Sequence, residues 1–328
     1  MTFRTPSFWY EPASRMPWPL RLLAPLHKLY GTVHNLRKAC GKPYKSRIPV
    51  ICIGNLTAGG SGKTPTALAL MKLIRDHRLA QNPCFLSRGY GGRESGPLLV
   101  NPALHRFNNV GDEPLLLARA APVIIARNRA RGAQFAEAQG YDLIVMDDGL
   151  QNLSLHHDIK IVVVDGQSGF GNRLTIPFGP LREPVTAGLK NADALIRIGD
   201  GPAEIPSPPV IIQAHISAEN PLPPHTHVIG FCGLGRPDKF RKTLQDMQLN
   251  ILDFFTLPDH YAYTERDLER LKEESERNHA RLITTEKDKL RIPSGFAADN
   301  EVAVVPITLT FVSPETLLNI INSKIKAS

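Results

Sequence analysis

The sequence predicts an α/β protein: a P-loop NTPase-like α/β/α sandwich followed by a second, smaller α/β unit. Three observations lead there. Short apolar, β-branched segments alternate with helix-period segments along most of the chain. The strand segments are almost continuously apolar, the pattern of parallel strands covered on both faces. A glycine-rich turn ending in Gly62-Lys63-Thr64 joins one of these strands to the helix that follows it.

The elements run in order. Residues 48–54 form a β-branched strand and 64–76 a helix; 84–87 is a strand, 114–121 a short helix and 123–126 a strand. A helix over 129–138 leads to the apolar strand 143–146, and 159–164 is a further buried strand. Seven prolines fall within 201–224, around a short strand at 210–214, so residues 209–225 read as a linker. A second alternation follows, with strands at 228–232, 251–257 and 281–285. Its helices cover 238–247 and 265–278, the latter with Thr264 and Asp267 placed for an N-terminal cap. A last strand, 302–311, and a helix from Pro314 close the chain. The expected division is an N-terminal segment 1–40, a phosphate-loop domain 41–208, the linker 209–225 and a smaller C-terminal domain 226–328.

The net charge of +8 is not spread over the chain. Residues 1–48 hold nine Lys/Arg against the single acid Glu11, and the remainder balances at 30 basic and 30 acidic residues. A nucleic-acid groove through the molecule is therefore not expected. The basic segment carries Leu22, Leu26, Leu29, Tyr30, Val33 and Leu36 at helical spacing, with Arg21, Lys28, Arg37 and Lys38 between them. Trp9, Tyr10 and Trp18 precede it, and Pro25 kinks or divides it. No apolar run approaches the ~20 residues that span a bilayer. Arg21, Pro25 and Lys28 also break any signal-peptide core. The segment fits an amphipathic helix lying on an anionic membrane surface; the plainer alternative is a helix packed on its own domain. The scattered Cys40, Cys52, Cys84 and Cys232 form no CxxC pair and suggest neither a disulfide framework nor a zinc site.

The turn Thr57-Ala58-Gly59-Gly60-Ser61-Gly62-Lys63-Thr64 has the strand-to-helix context of a phosphate loop. Small residues let backbone N–H groups approach phosphate oxygens at a helix N-terminus. Lys63 reaches the β- and γ-phosphates of a nucleotide such as ATP, and the Thr64 hydroxyl suits Mg²⁺. Thr57 stands where the general pattern has glycine. Asp147 and Asp148 follow the apolar strand 143–146, as a metal-side carboxylate does in such folds. Gly111-Asp112-Glu113-Pro114 has two readings: helix capping, or a carboxylate that accepts a proton from an attacking hydroxyl. Leu181-Arg182-Glu183-Pro184 is either a surface ion pair or a charge clamp plus metal ligand. Asp259-His260 lies in a loop before the helix 265–278.

The constellation resembles the tetraacyldisaccharide 4′-kinase (lipid A 4′-kinase) family. The matching segments are residues 54–65, then Ser87-Arg88-Gly89-Tyr90-Gly91-Gly92, Gly111-Asp112-Glu113-Pro114 and Asp147-Asp148-Gly149-Leu150-Gln151. Gly179-Pro180-Leu181-Arg182-Glu183-Pro184, Asp259-His260-Tyr261 and Thr285-Glu286-Lys287-Asp288 follow in the family's order, and residues 19–26 and 29–31 resemble its membrane-associating segment. A hydroxyl residue at position 57 is usual in that family. The resemblance implies two α/β/α domains joined by a short β linker, with ATP between them. It implies phosphorylation of the 4′-hydroxyl of a tetraacylated glucosamine disaccharide 1-phosphate, with Mg²⁺, by a peripheral protein on the cytoplasmic face of the bacterial inner membrane. A monomer is expected. By position, Asp112 is the implied base, coupled to His260, which Asp259 orients. Asp147, Asp148 and Glu183 fall at the acidic metal-site positions beside Thr64, and Arg182 stabilises phosphate charge together with Lys63. The choice between Asp147 and Asp148 stays open, as do the roles of residues 88–90 and 285–288.

The alternative function is a membrane-associated P-loop ATPase switch acting through a protein partner. It shares the phosphate loop and the amphipathic segment but has no use for Asp112 and His260 beside the γ-phosphate. A kinase or ligase for a soluble metabolite is a second rival, and it has no use for residues 1–40.

Overall fold

The computed structural model describes residues 6–11, 15, 17, 18, 20, 42–206 and 210–325. Most of the segment 1–40, including nearly all of the expected amphipathic helix, lies outside the described residues. Among those described, no helix is long and apolar enough to cross a membrane.

In chain order the elements are β1 (Val50–Gly54), α1 (Lys63–Asp76), β2 (Pro83–Ser87), β3 (Leu98–Leu99), α2 (Phe107–Val110), α3 (Asp112–Leu117), β4 (Val123–Ile125), α4 (Arg129–Ala138) and β5 (Leu143–Asp147). Then come β6 (Ile159–Asp165), α5 (Val185–Lys190), β7 (Ala194–Ile198), β8 (Ile211–Ala218), β9 (His227–Cys232), α6 (Pro237–Asp246) and β10 (Asn250–Thr256). α7 (Glu265–Arg277), β11 (Arg281–Thr285), α8 (Glu286–Lys289), α9 (Ser294–Asp299), β12 (Ala303–Val305), β13 (Ile307–Phe311) and α10 (Pro314–Ile325) follow.

The strands make a nine-stranded sheet of order β13-β8-β7-β6-β1-β5-β2-β4-β3 and a four-stranded sheet of order β10-β9-β11-β12. The central strands are parallel, and antiparallel pairing is confined to β3 with β4 and β13 with β8. The four-stranded sheet is wholly parallel. This is the expected α/β architecture. Its cause is visible in β1, whose side chains alternate between two cores. Ile51 and Ile53 join α1 residues Ala67, Leu70, Met71 and Ile74 on one face. Val50 and Cys52 join Ala133 and Ala136 of α4 on the other. Truncating a buried Leu or Ile here costs about 2–5 kcal/mol. In the second sheet Ile229 and Phe231 face α7, whereas Val228 and Cys232 face α6. The Thr264/Asp267 capping box starts α7 as expected. Cys52, Cys84 and Cys232 are free and buried.

Three expectations change. The strand expected over 302–311 is two strands: β12 belongs to the four-stranded sheet, and β13 crosses to the edge of the large one. Leu317 and Ile321 of α10 likewise enter the large core. Residues 307–325 therefore pack with the first sheet, not with the smaller C-terminal unit drawn over 226–328. The linker 209–225 contains a full strand, β8, paired with both β7 and β13. Finally, β7 is an additional strand that the sequence hides, because Arg197 interrupts its short apolar run.

The chain runs from β1 to one side of the sheet through β2, β4 and β5, then returns to the other through β6 and β7. The reversal sits next to β1. In open α/β sheets the crevice beyond the carboxyl ends at such a switch point is where ligands bind.

Candidate active site

Residues 55–62 leave the carboxyl end of β1 and enter α1 through Gly62, whose φ of 86° lies in the left-handed region. A Cβ there would also run into Ile198 Cδ1. The loop is stitched to the segment 180–182. The Ala58 N–H donates to Pro180 O and the Arg182 N–H to Leu56 O, each at 2.7 Å. Thr57 bridges to Leu181. Arg182 and Glu183 are thereby carried to the edge of the phosphate loop. Thr57 also has a local use. Asn55 Nδ2 donates to its hydroxyl at 3.2 Å, and Asn55 Oδ1 accepts from Lys63 Nζ at 3.3 Å. Burial lowers the pKa of Lys63. The Ser61 hydroxyl is buried and without a hydrogen-bond partner among the described residues, as suits a cradle for phosphate oxygens.

Asp147 and Asp148 end β5 and diverge. Thr64 Oγ1 donates to Asp147 Oδ2 at 3.4 Å, and Asp147 Oδ1 is buried without a hydrogen-bond partner among the described residues. Burial, and then the charge of Asp148, push the Asp147 carboxyl up to about 7. Asp148, at φ 54°, turns the other way. It meets Arg182 Nη1 at 2.8 Å and Lys63 Nζ at 3.7 Å. Burial pushes its pKa up, but the Lys63 and Arg182 cations prevail and hold it below the usual carboxylate range. Glu183 is buried and joined to this group through Gln151, whose Nε2 donates to Glu183 Oε1 at 2.9 Å. Gln151 Oε1 in turn accepts from Arg182 Nη1 at 3.3 Å. Hard oxygen donors beside a Thr hydroxyl, one a buried carboxylate oxygen with no hydrogen bond, fit a divalent cation such as Mg²⁺.

A second group gathers at the facing carboxyl ends of both sheets. Asp112 is the first residue of α3 rather than its cap, which is Gly111. The turn 88–92 sets this start. The Gly92 N–H donates to Gly89 O at 3.1 Å, and a Cβ on Gly92 would strike the backbone of residues 109–111. Asp112 is 3% exposed, and both its oxygens take partners from the second sheet. His260 Nδ1 lies 3.1 Å from Oδ1, and Arg291 Nε donates to Oδ2 at 2.9 Å. Burial pushes Asp112 up, yet hydrogen bonds from the His260 and Glu113 side chains and the charge of Arg291 hold it far below the usual carboxylate range. Burial lowers His260, but its contact with Asp112 and the charges of Glu113 and Asp259 prevail and raise it.

Asp259 Oδ1 is 3.8 Å from His260 Nε2 and accepts the His260 backbone N–H at 3.1 Å, so it meets the ring by charge, not by a hydrogen bond. The Tyr90 ring packs edge-on against His260 at 5.2 Å. Lys287 Nζ donates to Glu113 Oε1 at 2.7 Å. Asp112, Glu113 and His260 offer ligand atoms within 4.8 Å of one another, but Arg291 and Lys287 already supply the positive charge there. The charges of Glu113 and Lys287 also act on Asp147, so the two groups share one electrostatic site.

The structure thus brings Lys63, Thr64, Asp147, Asp148 and Arg182 together on the phosphate loop, and Asp112, His260 and Asp259 together across the sheets. Sequence reasoning missed Asn55, Gln151, Lys287 and Arg291 as members of the site. The signal available for Lys287 was its motif Thr285-Glu286-Lys287-Asp288; Arg291, three residues beyond it, had none.

The sequence profile of the family described as tetraacyldisaccharide-1-P 4′-kinase (LpxK) matches residues 19–326. A tetraacyldisaccharide 4′-kinase of Methylobacterium nodulans is 44% identical over 326 residues, covering 96% of this chain and 94% of that protein. One from Gluconobacter oxydans is 40% identical, covering 98% and 99%. Among solved structures, LpxK from Aquifex aeolicus in complex with ATP superposes with a TM-score of 0.73 at 26% identity, covering 93% of this chain and 99% of that one. With the profile matched over almost the whole length and relatives at this identity, the chain belongs to the tetraacyldisaccharide-1-P 4′-kinase family.

Proposed function

We propose that the chain transfers the γ-phosphoryl group of ATP to the 4′-hydroxyl of a tetraacylated glucosamine disaccharide 1-phosphate, giving ADP and the 4′-phosphorylated product of lipid A biosynthesis. Family membership supports the reaction. The observation that carries it is the pair of buried Asp112 and part-buried His260, 3.1 Å apart across the two sheets, in a cluster whose charges reach Asp147 of the phosphate-loop group. A nucleotide switch needs no such pair.

In this reading residues 57–64 cradle the phosphates, with Lys63 on the β- and γ-oxygens. Thr64 and Asp147 would hold Mg²⁺ from one side, with Asp148 and Glu183 outside them; the ion, when bound, neutralises phosphate charge. Arg182, paired with Asp148, supplies a further cation for the charge spread over the transferring group. Asp112 receives the acceptor hydroxyl and aligns its oxygen with the γ-phosphorus. Because phosphoryl transfer passes through a loose transition state, alignment matters more than early deprotonation. A carboxylate held ionised suits that role, because it accepts the hydroxyl hydrogen bond throughout and the proton late. His260 Nδ1 holds Asp112 at Oδ1, and Asp259 biases the imidazole toward its charged form.

The same reading takes 41–208 with β8 and the returning residues 307–325 as the kinase domain, and the four-stranded sheet as a smaller domain that completes the site on closure. Residues 1–40 lie on the cytoplasmic face of the inner membrane, attracted by anionic lipid, and the protein acts as a monomer. The test is transfer of label from ATP to an acylated disaccharide 1-phosphate in detergent micelles, with free glucosamine as control. Lipid-dependent labelling is expected. ATP hydrolysis without labelled lipid, driven instead by a protein partner, supports the switch reading and rejects this one.

A further inference from the structure

Arg291 and the motif preceding it remain without a role in this chemistry. Arg291 follows α8 and its side chain is 1% exposed. Its guanidinium is aimed by groups of the second sheet alone. Nη1 donates to Gly233 O at 2.9 Å and lies 3.3 Å from Asp288 Oδ1. Asp288 is itself fixed: it accepts the Gly233 N–H at 2.8 Å, the Tyr263 O–H at 2.9 Å and the Thr285 O–H at 2.6 Å. The remaining arm of the fork, Nε and Nη2, projects from this frame onto Asp112 Oδ2. Along the same turn Lys287 meets Glu113 at 2.7 Å, and Glu286 meets Arg119 of the first sheet's side at 3.0 Å. One seven-residue segment therefore presents charges matching residues 112, 113 and 119 opposite it.

Ordinary interface pairing does not account for this. A buried ion pair gains little net stability over apolar packing, because each desolvated charge costs several kcal/mol. Here the arrangement is spent on one particular carboxylate. Asp112 obtains its partner for Oδ1 from His260 and its partner for Oδ2 from Arg291, both contributed by the second sheet. With the sheets apart it has neither.

We infer that Thr285–Arg291 is the positioning element for the base: Arg291, oriented by Asp288, fixes Asp112 Oδ2 and thereby the direction of Oδ1, while Lys287 and Glu286 hold the two sheets in the arrangement that allows it. This rests on the reading of Asp112 as the base. Arg291 is a positioning residue and does not touch the substrate.

The test uses the full-length protein and steady-state transfer to the acylated disaccharide 1-phosphate. Arg291→Lys keeps the charge and loses the two-pronged contact. A fall in kcat of about tenfold or more is expected, part of the roughly 10²–10⁴-fold that a positioned base contributes, with ATP affinity unchanged. The groups around Asp112 and His260 are Arg291 and Lys287 from this turn, Asp259 from the loop after β10, Glu113 from α3 and the Tyr90 ring from the turn 88–92. Weakening the guanidinium contact favours protonated Asp112. A base works above its pKa, so the acid limb of the kcat/KM profile moves to higher pH. In an Asp112→Asn background Arg291→Lys has no further effect.

Wild-type kcat and pH profile in Arg291→Lys, or an equal proportional loss in both backgrounds, overturns the proposal. Should Arg291→Lys not fold, the half-exposed pair carries the test: Arg119→Glu lowers kcat and adding Glu286→Arg restores it, whereas no restoration overturns the proposal. If Asp112→Asn itself keeps wild-type kcat, the base reading fails and this one with it. An inactive Asp112→Asn beside an unaffected Arg291→Lys rejects the positioning role alone.

Discussion

Arg182 Nη1 meets Asp148 Oδ1 at 2.8 Å, and this contact separates two adjacent acids that the sequence leaves equivalent. Asp148 becomes the counter-ion of Arg182 and Lys63, while Asp147 stays beside the Thr64 hydroxyl. The two should respond differently to neutralisation. Asp147→Asn should reduce kcat by about a hundredfold and raise the Mg²⁺ concentration needed for half-maximal rate. Asp148→Asn should leave that Mg²⁺ requirement closer to wild type and weaken ATP binding, because Arg182 and Lys63 lose the partner that aims them at the phosphates. A Mg²⁺ titration of both variants decides it; a larger Mg²⁺ defect in Asp148→Asn reverses the assignment.

Lys63→Ala should lower transfer by about a thousandfold. Lys63 is part-buried with its ammonium shared between Asn55 and Asp148, so its loss removes a largely desolvated charge and little packing. Thermal stability should therefore change much less than activity. Wild-type turnover in this variant contradicts the phosphate-loop assignment.

Gly62→Ala meets two obstacles, a φ of 86° and the methyl of Ile198. Destabilisation on the order of 1–3 kcal/mol is expected from the backbone alone, with loss of ATP affinity as the loop shifts. Denaturant melts and nucleotide titration check both; a neutral result would mean the loop adopts another conformation.

The His260–Asp112 contact predicts a pH-dependent contribution to stability. The folded pKa of His260 is raised above its ordinary 6.5. A raised histidine stabilises fully below the unfolded value and loses that contribution as pH rises through the folded one. The stability gap between wild type and His260→Ala should thus be wide below the ordinary histidine value and narrow once pH has risen past the folded one. A gap that widens with pH contradicts the charged pairing.

Substituting Gln for Arg21, Lys28, Arg37 and Lys38 tests the membrane reading while sparing Trp9 and Tyr10. These two are anchored on the body of the protein: Trp9 Nε1 donates to Pro177 O at 3.1 Å and Tyr10 O–H to Ala58 O at 3.3 Å. Binding to anionic liposomes should weaken by about 1 kcal/mol per charge at low salt and become less salt-sensitive. Unchanged partitioning favours a helix packed on its own domain.

Much of the fold is readable from residue order because it is local. The alternating cores of β1 and β5, the loop into α1 and the Thr264 cap all follow from neighbours within one element. Nonlocal pairing escapes. Thr57 looks like a defect in the phosphate loop until Asn55 is seen to use its hydroxyl. Asp112 reads equally well as a helix cap because its true partners, His260 and Arg291, are 148 and 179 residues away. The crossing of β13 to the large sheet is hidden for the same reason: a single Pro306 separates β12 from β13, and no local signal tells which edge each joins.

The central claim is that one kinase site is assembled from the carboxyl ends of both sheets. Its most direct measurement is the rate and position of phosphoryl transfer by wild type and Asp112→Asn, followed by ³¹P NMR of the acylated disaccharide product. Wild type should form the 4′-phosphate, and Asp112→Asn should form it at least about a hundredfold more slowly while binding ATP normally. Undiminished 4′-phosphate formation by Asp112→Asn, or a loss of ATP affinity equal to the loss of rate, would contradict it.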